Sequence, residues 1–250
     1  MLEDDYSDVL RKAMMGHGLG EDALAVAAGL LPKDWQRFIA GEFSAETAGA
    51  CAKMLGLKQL AMKTHPSYLP KSIEMNGLLR LNLSFETYAV NAWWISDGST
   101  HVLFDLGYEA RDLVGQLPGK PDAVFVTHGH RDHVGALDWA LAEGVRVLMP
   151  DVQAGSVWNF GSLTIRSVDL SGHCTPQLGY FIDGLERRLL VMGDALFAGS
   201  IGRCATPALF RHALERLHDV LDPLPDDLVL LPGHGPATTL GEERRSNPFL

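Results

Sequence analysis

Three histidines and one aspartate fall within six consecutive positions of this chain, in Thr127-His128-Gly129-His130-Arg131-Asp132-His133. The stretch follows an apolar run, Asp122 to Thr127, that reads as a buried strand. His128 and His130 are two apart, so they point the same way while the backbone is still extended. Asp132 and His133 fall where the chain turns into a helix and project in another direction. One short segment thereby offers two ligand sets to two adjacent metal ions. Imidazole and carboxylate suit zinc, and also iron or manganese. Two divalent ions held close together need anionic bridging, which a shared carboxylate and a hydroxide supply. Water bound to them ionises near pH ~7, giving a nucleophile at neutral pH.

The elements that must position these side chains divide the chain in two. Residues 1–63 read as a helical bundle. Tyr6, Val9, Leu10, Ala13 and Met14 recur at helical spacing, and Gly16, Gly18 and Gly20 end that helix. A second helix is expected from Glu21 to Ala28, a third from Pro32 to Ala40, and a fourth from Ser44, its N-cap, to Leu55. Residues 64–77, with Pro66 and Pro70, read as a linker. Residues 78–250 turn to strands. Leu79, Leu81, Leu83 and Phe85 alternate with polar residues, and three hairpins are expected at Asp97-Gly98, Asn159-Phe160-Gly161 and Gly184. Helices are expected at Val134 to Glu143 and Pro207 to Leu221, and a last strand at Leu228 to Leu231. The expected class is α/β, with two mixed sheets packed together and helices outside.

Composition sets the bounds. The 250 residues carry 21 Lys+Arg against 31 Asp+Glu, a net charge of −10, which disfavours a polyanion-binding surface. Hydrophobic residues are 46% and charged residues 21%, the balance of a folded protein. No apolar run approaches the ~20 residues that cross a bilayer, so no membrane association is expected. The leading Met-Leu-Glu-Asp-Asp-Tyr is acidic and unlike a secretory signal, and Cys51, Cys174 and Cys204 form no CxxC. A reducing cytoplasm is the expected compartment.

With its surroundings, the histidine cluster resembles the first signature of the metallo-β-lactamase-fold hydrolases, His-x-His-x-Asp-His after a buried strand. Further motifs follow in order: Asp105-Leu106-Gly107 upstream, then Ser171-Gly172-His173, Gly193-Asp194 and Pro232-Gly233-His234-Gly235. The resemblance covers roughly residues 75 to 250 and implies an αββα sandwich. It implies two divalent metal ions, zinc by preference with iron or manganese as alternatives. One ion would take His128, His130 and His173, the other Asp132, His133 and His234, with Asp194 bridging. Asp132 would also act in catalysis by orienting the hydroxide. Gly193-Asp194-Ala195-Leu196-Phe197, Gly202-Arg203 and the closing Gly233 to Leu250 stretch resemble the compact glyoxalase II-like (hydroxyacylglutathione hydrolase) branch. Cys174-Thr175-Pro176 and Cys204-Ala205 depart from its pattern.

That branch implies a small-molecule thioester substrate, whose thiolate leaves without a strong general acid. Arg203 would hold a substrate carboxylate or serve a structural ion pair. Tyr180 would line the pocket or belong to the core. Competing readings are a mononuclear-iron persulfide dioxygenase, a lactone or ester hydrolase, and a DNA-binding regulator with a ligand-sensing metal domain.

The helical front end is similar to phage-repressor helix-turn-helix domains. Residues 1–64 nevertheless hold 7 Lys+Arg and 9 Asp+Glu, and the third helix offers Lys33, Gln36 and Arg37, balanced by Asp34, with Trp35 and Phe38 interleaved. That is a thin footprint for DNA, which is not expected as a partner. A repurposed bundle, serving as a homodimer contact or a pocket lid, is the expectation.

Overall fold

The computed structural model describes residues 2–250; Met1, which opens the acidic leading stretch, lies outside the described residues. Two sheets face each other. The first has the order β1-β2-β3-β4-β5, built from Leu78–Phe85, Tyr88–Ser96, His101–Phe104, Ala123–Phe125 and Arg146–Leu148. The second has the order β11-β10-β9-β8-β7-β6. These strands are β6 Val157–Phe160, β7 Leu163–Asp169, β8 Leu178–Asp183, β9 Leu189–Gly193, β10 Val229–Pro232 and β11 Thr238–Thr239. β3, β4 and β5 run parallel to one another, as do β9 and β10.

The apolar runs read from sequence are strands buried on both faces. In β4, Ala123 and Phe125 enter the core between the sheets, while Val124 faces the outer helices. In β9, Leu189 and Val191 point between the sheets, and Leu190 and Met192 point outward. Successive side chains on a strand alternate faces, so a continuous apolar run serves two cores. Helices α6 Ala110–Gln116, α7 Arg131–Val134 and α8 Leu137–Ala142 cover the first sheet, and Leu113 of α6, Ala140 of α8 and Ala136, the residue before α8, are buried with Leu103 and Val124. The second sheet is covered by α9 Pro207–Leu221 and α10 Leu240–Ser246. The result is the expected α/β sandwich with helices on both outer faces, αββα.

The front end forms α1 Tyr6–His17, α2 Glu21–Ala27, α3 Pro32–Ile39, α4 Ala45–Met54 and α5 Gln59–Thr64, then a 3-10 turn at His65–Ser67. Asp5 caps α1 in a reciprocal capping box with Asp8. The buried face of α1, Val9, Leu10, Ala13 and Met14, enters the same cluster as Phe210, Ala213 and Leu217 of α9 and Met192 of β9. Gly16 lies so close to the Phe210 ring that a Cβ there would collide with it. On α3, Trp35 and Phe38 are buried, and the exposed Arg37 is held by Glu42, Nε to Oε2 2.8 Å. Among the described residues no helix is long and apolar enough to cross a membrane.

Candidate metal centre

The strand ends deliver the site. β4 runs into His128 and His130, and His130 stands at the N-cap of α7, which turns Asp132 and His133 inward. His173 follows β7, Asp194 follows β9 and His234 follows β10. Three groups of ligand atoms converge: His128 with His130 and His173; His128 with His133 and Asp194; and Asp132 with His133 and His234. In the first, His130 Nδ1 is 3.1 Å from His128 Nε2 and 2.9 Å from His173 Nε2. In the last, His234 Nε2 is 3.3 Å from Asp132 Oδ2. Asp194 lies between them, Oδ1 3.3 Å from His133 Nε2 and Oδ2 3.5 Å from both His173 Nε2 and His234 Nε2.

Four of the five imidazoles are held by their outer nitrogen. His133 Nδ1 donates to Asp105 Oδ2 at 2.8 Å, His173 Nδ1 to the Arg203 carbonyl at 2.7 Å, and His234 Nδ1 to the Ala89 carbonyl at 2.8 Å. Thr127 Oγ1 donates to Asp105 Oδ2 at 2.8 Å, and so accepts from His128 Nδ1 at 3.0 Å. A proton fixed on Nδ1 leaves the Nε2 lone pair for the centre, the arrangement metal-binding histidines adopt. Asp105 also accepts the Thr127 backbone N–H at 2.7 Å. The sequence flagged Asp105 only as part of a motif; its service to two imidazoles depends on a contact across 28 positions.

Charge and burial fit cations. His128, His133, Asp132, Asp194 and His234 are buried, whereas His130 is exposed and His173 half-buried, so the centre opens on that side. Burial raises the Asp194 carboxyl, but His133 and His234 outweigh it and hold Asp194 well below the usual range. Burial opposes charge on His133 and His234 as well. Asp194, with Asp105 for the one and Asp132 for the other, prevails and pushes them up to about 10 and about 11. His128 and His173 are lowered, first by burial and then in part by neighbouring imidazoles. His133 Nε2 and Asp194 Oδ1 are buried without any hydrogen-bond partner. Buried polar atoms are rarely left so, and a cation is the partner both can share. The donor set therefore fits divalent metal.

Glycine lets the backbone close in. A Cβ on Gly233 would collide with the Asp194 carboxylate and approach His133, and one on Gly202 would collide with the Asp194 carbonyl. Two sequence-derived substrate residues fare differently. Arg203 lies beside the centre with its side chain exposed, its carbonyl holding His173. Tyr180 does not line the cleft. It is fully buried between the sheets among Phe104 and Phe125, and its hydroxyl donates to the Val126 carbonyl at 2.7 Å. On β8 it shares a face with Leu178 and Ile182, which belongs to the intersheet core.

Residues 86–171 match the family described as Metallo-beta-lactamase superfamily. Hydroxyacylglutathione hydrolase GloC of Haemophilus influenzae is 30% identical over 190 residues, covering 62% of this chain and 89% of that protein. The crystal structure of BLEG-1 B3 metallo-beta-lactamase superposes with a TM-score of 0.58 at 27% identity, covering 69% of this chain and 99% of that one. That of TTHA1623 in a di-iron-bound form gives a TM-score of 0.54 at 28% identity, covering 68% and 99%. With the sandwich, the strand-end ligand geometry and these relatives in agreement, the chain belongs to the metallo-beta-lactamase superfamily.

Proposed function

We propose that the chain is a dinuclear-metal hydrolase that cleaves a small thioester of the acyl-glutathione type in the cytoplasm. The observation that carries this is the placement of Asp194, a buried carboxylate set between two groups of ligand atoms and in reach of both. Two divalent ions, zinc by preference with iron or manganese as alternatives, would supply Lewis acidity and lower the pKa of water bound to them. His128, His130 and His173 would hold one ion and Asp132, His133 and His234 the other, with Asp194 in reach of both groups.

The chain's own groups do the rest. Asp132 Oδ2 faces the centre beside His234 and orients the attacking water. Asp105 and the Arg203 and Ala89 carbonyls keep the imidazoles from turning, so little reorganisation accompanies reaction. Arg203, exposed and with its carbonyl holding His173, pairs its guanidinium with a substrate carboxylate in this reading. Thiolate departs without a strong acid, which suits a site whose imidazoles are all committed to the ligand groups. The GloC relative at 30% identity supports the acyl-glutathione class.

The test is elemental analysis of purified protein together with a panel of acylthioesters, lactones, a β-lactam and a persulfide. Two metals per chain and turnover of thioesters ahead of the others are expected. One iron with oxygen uptake on persulfide, or two metals with every thioester left intact, would overturn the reading.

A further inference from the structure

The N-terminal helices lie outside the family match at 86–171, yet they reach the centre. On α1, Lys12 is only 14% exposed, and it is paired with Asp4 from the segment leading into that helix. Its ammonium donates to the Ile201 carbonyl at 2.8 Å and lies 4.9 Å from the centre of the Phe197 ring. Phe197 in turn stands edge-on to His234, ring centres 5.5 Å apart. Two residues beyond Ile201, the Arg203 carbonyl accepts the His173 Nδ1 proton. Gly202, between them, is packed against the Asp194 carbonyl and the His173 ring with no room for a side chain.

We propose that Lys12 is a positioning residue for His173, acting through Ile201-Gly202-Arg203, so that the N-terminal helices are a working part of the metal centre. His173 needs such support more than its partners do. His128 and His133 are held through Asp105 and Thr127, both buried at strand ends of the first sheet. His173 sits on a segment without regular structure between β7 and β8, and its outer nitrogen depends on the loop at Arg203. On the Ile201 and Gly202 carbonyls the other side-chain contacts are weak, Ser200 Oγ at 3.5 Å from Ile201 O and the Cys204 thiol at 3.8 Å from Gly202 O, while Asn247 Nδ2 anchors the preceding Ser200 carbonyl at 2.9 Å. Lys12 brings a charged donor, and charge-assisted bonds are the stronger ones. Its helix is seated firmly by Val9, Leu10, Ala13 and Met14 in the core beneath. Asp4 and the Phe197 ring confine the ammonium, which would otherwise swing on a flexible stem. Glu3 completes the contact on the opposite side, its Oε1 3.8 Å from His234 Nδ1 and its backbone against Gly235.

The proposal rests on the metal-centre reading above, so its test has one readout with metal and one without. Lys12→Met alone would strand the Asp4 carboxylate, and the neutral pair Asp4→Asn/Lys12→Met avoids this. Lys12→Arg is the conservative variant. Leu24→Ala, in the buried core of α2, is a control that loosens the helices without touching the loop. Metal-loaded proteins are mixed with a chromophoric chelator and release is followed in time. The neutral pair is expected to give up one of its two ions about 10-fold faster than the wild type, as lost outer partners of ligating histidines typically do. Lys12→Arg and Leu24→Ala should keep the wild-type rate. In metal-free, 15N-histidine-labelled protein, the His173 Nδ1–H resonance should broaden or shift in the neutral pair and stay in place in the control. Unchanged release and an unchanged His173 resonance would overturn the proposal. So would a Leu24→Ala protein that behaves like the neutral pair. A wild type that takes up no metal would instead overturn the metal-centre reading, and the His173 resonance would then decide the role of Lys12 by itself.

Discussion

Asp105 Oδ2 stands 2.8 Å from Nδ1 of His133, and Asp105 holds that position from a left-handed backbone with φ of 61°. Non-glycine residues seldom adopt this conformation, and asparagine and aspartate tolerate it best. Asp105→Asn therefore keeps the backbone and changes the chemistry. Thr127 N–H and Oγ1–H both donate into the carboxylate, so an amide nitrogen on either side meets a donor. His133 loses its anionic partner. Metal affinity should fall about 10- to 100-fold, read by chelator competition, with the far-UV circular dichroism unchanged. Wild-type affinity in this variant would refute the role given to Asp105.

Tyr180→Phe separates core from cleft. The hydroxyl bonds the Val126 carbonyl at 2.7 Å in a fully buried setting. Its loss leaves that carbonyl without its side-chain donor, at a cost of about 1–3 kcal/mol, measurable by urea unfolding. Ratios of kcat/KM across a panel of acyl groups should not move. A change in acyl preference would return Tyr180 to the substrate site.

His65 gives a pH dependence away from the centre. Its Nε2 donates to the Gly199 carbonyl at 3.0 Å, and it is buried. Burial holds its pKa below 6.5, against the opposing pull of the Gly199 bond and of Asp4, Asp5 and Asp8. The folded state thus binds this proton less readily than the unfolded chain. The stability it contributes is fully present above about pH 6.5 and is lost as pH falls towards the folded pKa. His65→Gln can still donate to Gly199 and lacks the titration. The urea midpoint difference, wild type minus variant, should shrink between pH 7.5 and pH 5.5. A difference independent of pH would contradict the assignment.

What the sequence disclosed depended on how local each signal was. The His128 to His133 cluster is a short-range pattern, legible without any knowledge of what packs on it. The face of Tyr180 was harder. Leu178, Tyr180 and Ile182 alternate with Gly179 and Phe181, both faces of β8 are apolar, and alternation alone does not say which looks into a cleft. Helix α5 went unread, its span split between the end of the bundle and the linker. It has six residues and no side-chain cap, and the Lys58 backbone and ammonium tie its start to the Pro248 and Arg244 carbonyls. Lys12 was invisible as a site neighbour because Ile201 is 189 positions away. Contacts of that span arise from the packing of α1 on α9, which no periodicity encodes.

The parentage of the seven converging side chains has a mechanical consequence. His128, His130, Asp132 and His133 leave the first sheet; His173, Asp194 and His234 leave the second. Neither sheet alone owns a complete set, since each outer group takes two members from the first and one from the second. The centre is a seam stitched across one edge of the sandwich. An ion seated in either group ties the halves together, and sliding one sheet over the other pulls every stitch at once.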